Sequence, residues 1–160
     1  MTAHNKKLLK VNNSIDETSE ERCNCRSNCP VQGKCKTKCV VYKATITDPA
    51  NTAEYIGCNN SDFKTRYNNH KSNFRSQNQK KQTSLASFVW NRNLGPEPNI
   101  SWQIIKKCKI YEPSATFCGL CNTEKTYILK NLHNPININK RSDIGNRCIR
   151  RNKYKLMNIK

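Results

Sequence analysis

Ten cysteines in a chain of 160 residues constrain this protein more than any other feature of its sequence. Four of them follow the spacing C-x-C-x₃-C-x₅-C: Cys23, Cys25, Cys29 and Cys35. The stretch that contains them, residues 23–39, is too short and too rich in Asn, Gly and Pro to bury a core of its own. Something other than packing must hold it, and four thiolates on so short a loop suit tetrahedral zinc.

Disulfides are the alternative to zinc, and the expected compartment distinguishes the two. The N-terminus has no apolar stretch before a small-residue cleavage site, so it does not resemble a signal peptide. No apolar run is long enough to span a bilayer. We therefore expect an intracellular protein, in which cysteines bind metal or remain free thiols. On this basis zinc is favoured over disulfides.

The charge of the chain indicates its partner. The formal net charge is +18 and 35% of the residues are hydrophobic, so we expect a small core and a very polar surface. Lys and Arg side chains that neutralise phosphates release condensed counterions, which makes a polyanion such as DNA the expected partner. Charge that serves only solubility is a weaker alternative. So is an anionic membrane surface, because no basic amphipathic helix with an aromatic face stands out.

The pattern of apolar residues predicts a small α/β (α+β) fold. Residues 40–47 (VVYKATIT) are β-branched and aromatic, and turn residues at 48–51 lead to a returning strand at 54–58. Asn59, Asn60 and Ser61 are expected N-caps of the first helix. The remaining predicted elements are helices at 61–75, 83–92 and 119–130 and a strand at 101–106. We expect a three-stranded antiparallel sheet flanked by helices, with the rest of the C-terminal part irregular.

Two polar groups on the predicted helices suit phosphodiester chemistry. Arg66 and His70 are four residues apart, so they share one helix face. A guanidinium there can stabilise a phosphorane-like transition state, and an imidazole can exchange a proton. The alternative is a solvated Arg beside a His at the edge of the core.

Glu124 is predicted to project from the apolar face of its helix, because Leu120, Tyr127 and Ile128 stand at −4, +3 and +4 from it. A buried carboxylate is costly unless it is paired or binds a metal. The alternatives are an ion pair with Arg66 or another cation, and a Mg²⁺ site completed by water and phosphate oxygens.

Several short motifs in chain order resemble the catalytic core of the GIY-YIG endonucleases, which cut DNA with one metal ion. They are Val40-Val41-Tyr42, Tyr55-Ile56-Gly57, Arg66, His70, Glu124 and Asn139. The first glycine of the family motif is Val40 here, a strand substitution that should not remove chemistry. The resemblance implies that Tyr42 receives a proton from the attacking water and that Tyr55 shapes the site. It also implies that Glu124 holds Mg²⁺ or Mn²⁺ and that Asn139 matches the late asparagine of the family.

Longer stretches, including CNCRSNCPVQGKC and YIGCNNSDFKTRYNNHKSNFR, resemble the endonuclease domain of Penelope-like retroelements over residues 23–155. The resemblance implies a linker or tail at 1–22, a zinc-binding segment at 23–39 and a nuclease domain at 40–155. It implies nicking of DNA to supply a 3′ end for target-primed reverse transcription, in the nucleus. The implied partner is a reverse transcriptase outside this chain, which would be a fragment or a separately encoded copy of a mobile-element protein.

A second zinc site is the other implication. Cys118 and Cys121 form a C-x₂-C pair, and relatives carry a Cys and a His near the C-terminus that would complete it. Cys148 is present, but Arg150 stands where the His is expected. The fourth ligand would then be Cys108 or His133. Buried thiols that act as small apolar residues are the alternative.

The expected phosphate contacts are basic residues of the first helix and of the C-terminal segment: Lys64, Lys71, Arg75, Arg147, Arg150, Arg151 and Lys153. A catalytically inactive, zinc-containing nucleic-acid-binding module derived from such an element is the alternative function. A structural or regulatory zinc protein acting on other proteins fits the charge poorly.

Overall fold

A long β-hairpin forms the centre of the fold in the computed structural model, which describes residues 23–25 and 27–150. Strand β1 (Lys38–Asp48) pairs antiparallel with β2 (Asn51–Asp62), and the Asp48 carboxylate accepts a hydrogen bond from the Ala50 amide in the turn. Strand β3 (Ile100–Lys107) pairs antiparallel with the other edge of β1, which gives the order β2-β1-β3. The central strand β1 is consequently the most buried.

Four helices flank this sheet in the part of the chain that the structure describes. Helix α1 (Phe63–Arg75) begins directly after β2 and is followed by one 3₁₀ turn, and then come α2 (Ser84–Asn91), α3 (Gly119–Lys130) and α4 (Arg141–Gly145). The Asp62 and Thr83 side chains cap α1 and α2 by accepting hydrogen bonds from backbone amides. Within the described residues, no helix has the length and apolar character needed to cross a membrane.

The alternation of side chains along β1 creates two hydrophobic clusters. Tyr42 and its even-numbered neighbours pack with Phe63, Leu85 and other residues of α1 and α2. Val41 points to the opposite face and packs with Ile128 and other residues of α3. The sheet therefore carries α1 and α2 on one face and α3 on the other.

The predicted fold class is confirmed, because a three-stranded antiparallel sheet is flanked by helices and is preceded by a cysteine cluster. Two local predictions were wrong. Residues 59–61 extend β2 instead of capping the helix, and Asp62 is the cap, because β1 continues back to Lys38 and pairs with it. Residues 141–145, expected to be irregular, form α4. The predicted tail at 1–22 and the predicted contacts Arg151 and Lys153 lie outside the described residues.

Candidate catalytic cleft and cysteine clusters

The four N-terminal cysteines converge as the sequence spacing predicts. The Sγ atoms of this cysteine tetrad (Cys23, Cys25, Cys29 and Cys35) all lie within 4.8 Å of one another. The chain reverses between them through Gln32 and Gly33, which have φ angles of 52° and 87°. All ten cysteines lie within the described residues and have free thiols. Four convergent sulfurs without a disulfide can hold a metal ion such as zinc.

A second group of sulfurs joins the start of α3 to the C-terminal segment. Its members, the cysteine triad, are Cys118, Cys121 and Cys148, which are buried and lie within 4.8 Å of one another. Hydrogen bonding, above all to the Cys58 thiol, lowers the pKa of Cys121 to about 5. A thiolate is the form that binds a metal. Neither Cys108 nor His133, the predicted fourth ligands, belongs to the group.

A polar cleft of about 340 Å³ lies between β2, α3 and the C-terminal segment, and we call it the cleft. Four of the six residues predicted to be catalytic line it: Tyr55, Arg66, Glu124 and Asn139. Tyr42 and His70 lie behind its wall, fully buried. The fold therefore gathers residues that are far apart in sequence around one opening.

The Tyr42 hydroxyl connects Arg66 to His70. Arg66 Nε donates to the Tyr42 oxygen at 2.9 Å, and that oxygen lies 2.7 Å from His70 Nε2. If the Tyr42 hydroxyl donates the hydrogen bond to Nε2, His70 Nδ1 is the one polar atom of this group that stays buried without a partner. The opposite tautomer would also leave the phenolic hydrogen unpaired, so we assign Nε2 as the acceptor.

Gly57 makes room for this arrangement. A Cβ atom at Gly57 would lie 2.6 Å from the Tyr42 hydroxyl oxygen, a distance that side chains do not tolerate. The glycine in the Tyr55-Ile56-Gly57 motif is thus required by close approach of the phenol.

Burial keeps Tyr42 and His70 neutral at physiological pH. Burial raises the pKa of Tyr42 to about 12, against the opposing effect of the Arg66 charge. Burial, and then the same charge, holds the pKa of His70 well below its ordinary value. A neutral imidazole can accept the phenolic proton, as the assigned tautomer requires.

Glu124 is a partly accessible carboxylate in the cleft. Its side chain is 15% exposed, and its ion pair, 3.3 Å from Oε2 to Nζ, is with Lys125 and not with Arg66. Burial raises its pKa, while Lys125 and a hydrogen bond from Cys58 oppose that shift. A carboxylate in a polar cleft with space for water and phosphate oxygens suits a hard cation such as Mg²⁺.

The side-chain amide of Asn139 forms hydrogen bonds to the backbone of β2. Its Oδ1 accepts from the Ile56 amide and its Nδ2 donates to the Ile56 carbonyl, both at 2.8 Å. The side chain thus pairs with the strand edge as another strand would. It holds the segment that leads into α4 against the cleft.

Among the polar residues that line the cleft, Cys58, Lys125 and Asp143 were missed by sequence reasoning. Cys58 shares hydrogen bonds with Cys121 and Glu124. Asp143 accepts hydrogen bonds from Ser84 Oγ and the Lys140 amide, and Lys125 Nζ donates to its carbonyl. One signal was available for Asp143, since it is the only acidic residue after Glu124 in the sequence.

The predicted phosphate contacts are not gathered at the cleft. Among those in the described residues, only Arg147 lines it. Lys64 donates to Asn24, Lys71 lies over the Tyr67 ring and Arg75 pairs with Glu97. Unlike Arg66, the predicted contacts Lys64, Lys71 and Arg75 of α1 therefore do not belong to the wall of the cleft.

Comparison of the chain with family models, with curated proteins and with solved structures gives no match. The resemblance to GIY-YIG endonucleases therefore remains a prediction that rests on the motifs.

Proposed function

We propose that this protein is a metal-dependent endonuclease that nicks DNA by chemistry of the GIY-YIG type. The observation that carries the proposal is the hydrogen-bonded set Arg66–Tyr42–His70 next to a cleft that also contains Glu124. This set combines a phosphate-binding cation with a proton acceptor and a carboxylate suited to a metal. Phosphodiester hydrolysis needs those three functions.

Arg66 is the proposed phosphate-binding group. Its Nε donates a hydrogen bond to the Tyr42 oxygen, and this contact fixes the orientation of the guanidinium. Four further N–H donors of the guanidinium remain. The side chain lines the cleft, where these donors can contact the non-bridging oxygens of a phosphate. Charge that develops on the phosphate would be stabilised by a donor already held in place.

Tyr42 and His70 form the proposed proton path. As the Tyr42 oxygen takes a proton from the attacking water, its own proton can pass to His70 Nε2, 2.7 Å away. This exchange forms an imidazolium instead of a phenolate, and burial and the Arg66 charge disfavour that form as well. The Tyr42 hydroxyl is fully buried, so water reaches it only through an opening in the cleft wall. Tyr55, which lines the cleft, is therefore the second candidate for the proton acceptor.

Glu124 is the residue that would hold Mg²⁺ or Mn²⁺, and Asn139 positions the adjacent segment. When bound, the metal supplies charge neutralisation of the phosphate and the leaving oxygen. The cysteine tetrad would hold a structural zinc ion, and the cysteine triad is the candidate for a second. The net charge of +18 supports DNA as the partner.

The biological setting rests on the resemblance to Penelope-like retroelements. On that basis the nick would supply a 3′ end to a reverse transcriptase, and the protein would act in the nucleus. These roles are part of the proposal, and the cleft supports only the cleavage step.

Plasmid nicking tests the proposal. The parent protein should nick supercoiled plasmid when Mg²⁺ is added, and Glu124→Ala should slow nicking by about a hundredfold or more while DNA binding persists. Glu97→Ala is the matched control, because this exposed glutamate lies outside the cleft.

Two results would count against the proposal. If a folded Glu124→Ala protein nicks at the parental rate, the metal assignment is wrong. If the parent binds DNA tightly and never nicks, the chain is instead the inactive nucleic-acid-binding module.

A further inference from the structure

A second cavity lies beside the cleft and takes no part in the proposed chemistry. This side cavity has a volume of about 580 Å³ and is formed by the end of β3, the loop 108–118 and the segment near Arg150. Asn60 and Ile149 line both the cleft and the side cavity, so the two share part of their walls.

The side cavity collects exposed apolar side chains. Four large hydrophobic residues are exposed in the part of the chain that the structure describes, and three of them line this cavity. They are Ile110, Phe117 and Ile149, of which Ile110 is 75% exposed. Tyr111 adds an aromatic ring, with the Arg150 guanidinium 5.2 Å from its centroid. Apolar side chains gathered in one cavity mark a binding site, whereas scattered ones do not.

The same cavity is strongly cationic. Four basic side chains line it, against one carboxylate, that of Glu112. The basic residues are Lys106, Lys107, Lys109 and Arg150. This balance complements phosphate groups. The combination of cations with apolar and aromatic surfaces fits unpaired nucleotides, because the base of an unpaired nucleotide is free to stack on a side chain.

We propose that the side cavity binds single-stranded DNA next to the cleavage site, with bases on Ile110 and Phe117 and phosphates on the lysines. The inference rests on the proposed function, since it names the form of DNA that the nuclease takes. The substrate is a duplex with an unpaired flank, and the flank lies in the side cavity while the scissile phosphate lies in the cleft.

The test measures DNA affinity without added divalent metal, so that binding is separated from cleavage. The full-length protein is titrated with a blunt duplex and with the same duplex carrying a single-stranded overhang of about eight nucleotides. The parent should prefer the overhang. Ile110→Ser and Phe117→Ser should each weaken overhang binding roughly tenfold and leave blunt-duplex binding unchanged.

Leu129→Ser is the matched control, because Leu129 is the fourth exposed apolar residue and lies outside the cavity. Equal affinity of the parent for both DNAs, or equal effects of Ile110→Ser and Leu129→Ser, would overturn the inference. A protein that nicks plasmid but shows no overhang preference refutes this inference alone. A protein that prefers the overhang and never nicks refutes the endonuclease instead.

Discussion

The Tyr42 hydroxyl is the atom around which the polar residues of this molecule are arranged. Arg66 donates to it, His70 accepts from it, and the absence of a side chain at Gly57 leaves space for it. These contacts fix the tautomer of His70 and the orientation of Arg66. The position of each side chain therefore depends on the other two, and a change at one should alter the chemistry of all three.

His70 predicts a pH dependence of stability. Burial, and then the Arg66 charge, holds the pKa of His70 well below its ordinary value of 6.5. Near that pH the unfolded chain binds a proton that the folded chain does not. The contribution of neutral His70 to the free energy of unfolding is therefore complete above pH 6.5. It is lost as the pH falls towards the folded-state pKa.

We expect acidification from pH 7.5 to pH 5 to reduce the unfolding free energy of the parent by about 1–2 kcal/mol more than that of His70→Gln. Urea unfolding at both pH values measures the difference. Both proteins have the same cysteines, so any loss of metal in acid affects them equally. Parallel losses of stability would show that His70 titrates normally in the folded protein.

At the level of the elements, the cysteine loop and helix α1 are built as one unit. The amides of Phe63 and Lys64 donate to the carbonyls of Thr37 and Cys35, at 3.1 and 2.8 Å. Two of the four N–H groups that a helix leaves unpaired at its start are thus satisfied by the cysteine loop. Because α1 also carries Arg66 and His70, the conformation of the cysteine loop bears on the cleft.

This connection predicts the effect of Cys29→Ser, a change in the tetrad that leaves the two carbonyl contacts untouched. The variant should lose about one zinc ion per chain, because a thiolate ligand is gone. Amide exchange at residues 63–65 should accelerate about tenfold, as the start of α1 loosens. Elemental analysis and hydrogen exchange measure the two effects.

Cys39→Ser is the control, since Cys39 is buried outside both sulfur groups and its Sγ donates only to the Asn60 carbonyl. It should keep the zinc and the parental exchange rates. Unchanged zinc content in Cys29→Ser would exclude the tetrad as a metal site.

The elements differ in how far the sequence predicts them. Helix α3 lies at Gly119–Lys130, as predicted, because local apolar spacing determines it. The extension of β2 to Asp62 depends on pairing with Lys38, and α4 depends on hydrogen bonds that Asp143 makes to Lys140 and other residues. Such contacts are not visible as local patterns. The gathering of the predicted site residues was inferred only through motif order, and the burial of Tyr42 was not foreseen.

For the whole molecule, charge is the dominant property. The chain has 29 Lys and Arg residues against 11 Asp and Glu residues. Few acidic groups are available to neutralise this excess, so the surface has a strong positive potential. Under the proposed function, that potential would attract DNA of any sequence, while the cleft and the side cavity would determine where on the DNA the protein acts.

DNA affinity should therefore fall steeply with salt, and Arg147 should contribute to the slope because it lines the cleft. We expect Arg147→Ala to reduce the slope of log affinity against log salt by about 0.9, the value for one phosphate contact. Arg92→Ala is the control. Arg92 forms an ion pair with Asp48, with 2.8 Å between nitrogen and oxygen, and neither residue lines the cleft. Titrations at several salt concentrations measure both slopes. A nearly flat plot for the parent would contradict the electrostatic model.

Two walls of the cleft are joined by the hydrogen bonds between Ile56 and Asn139, which are 83 positions apart in the sequence. A ribosome releases Tyr42, Arg66 and His70 long before it releases Glu124 or Asn139. The nascent chain can pair β1 with β2 early, but its cleft stays incomplete until Glu124 and Asn139 have left the ribosome. Under the proposed function, the timing of translation itself keeps the unfinished enzyme from cutting nucleic acid.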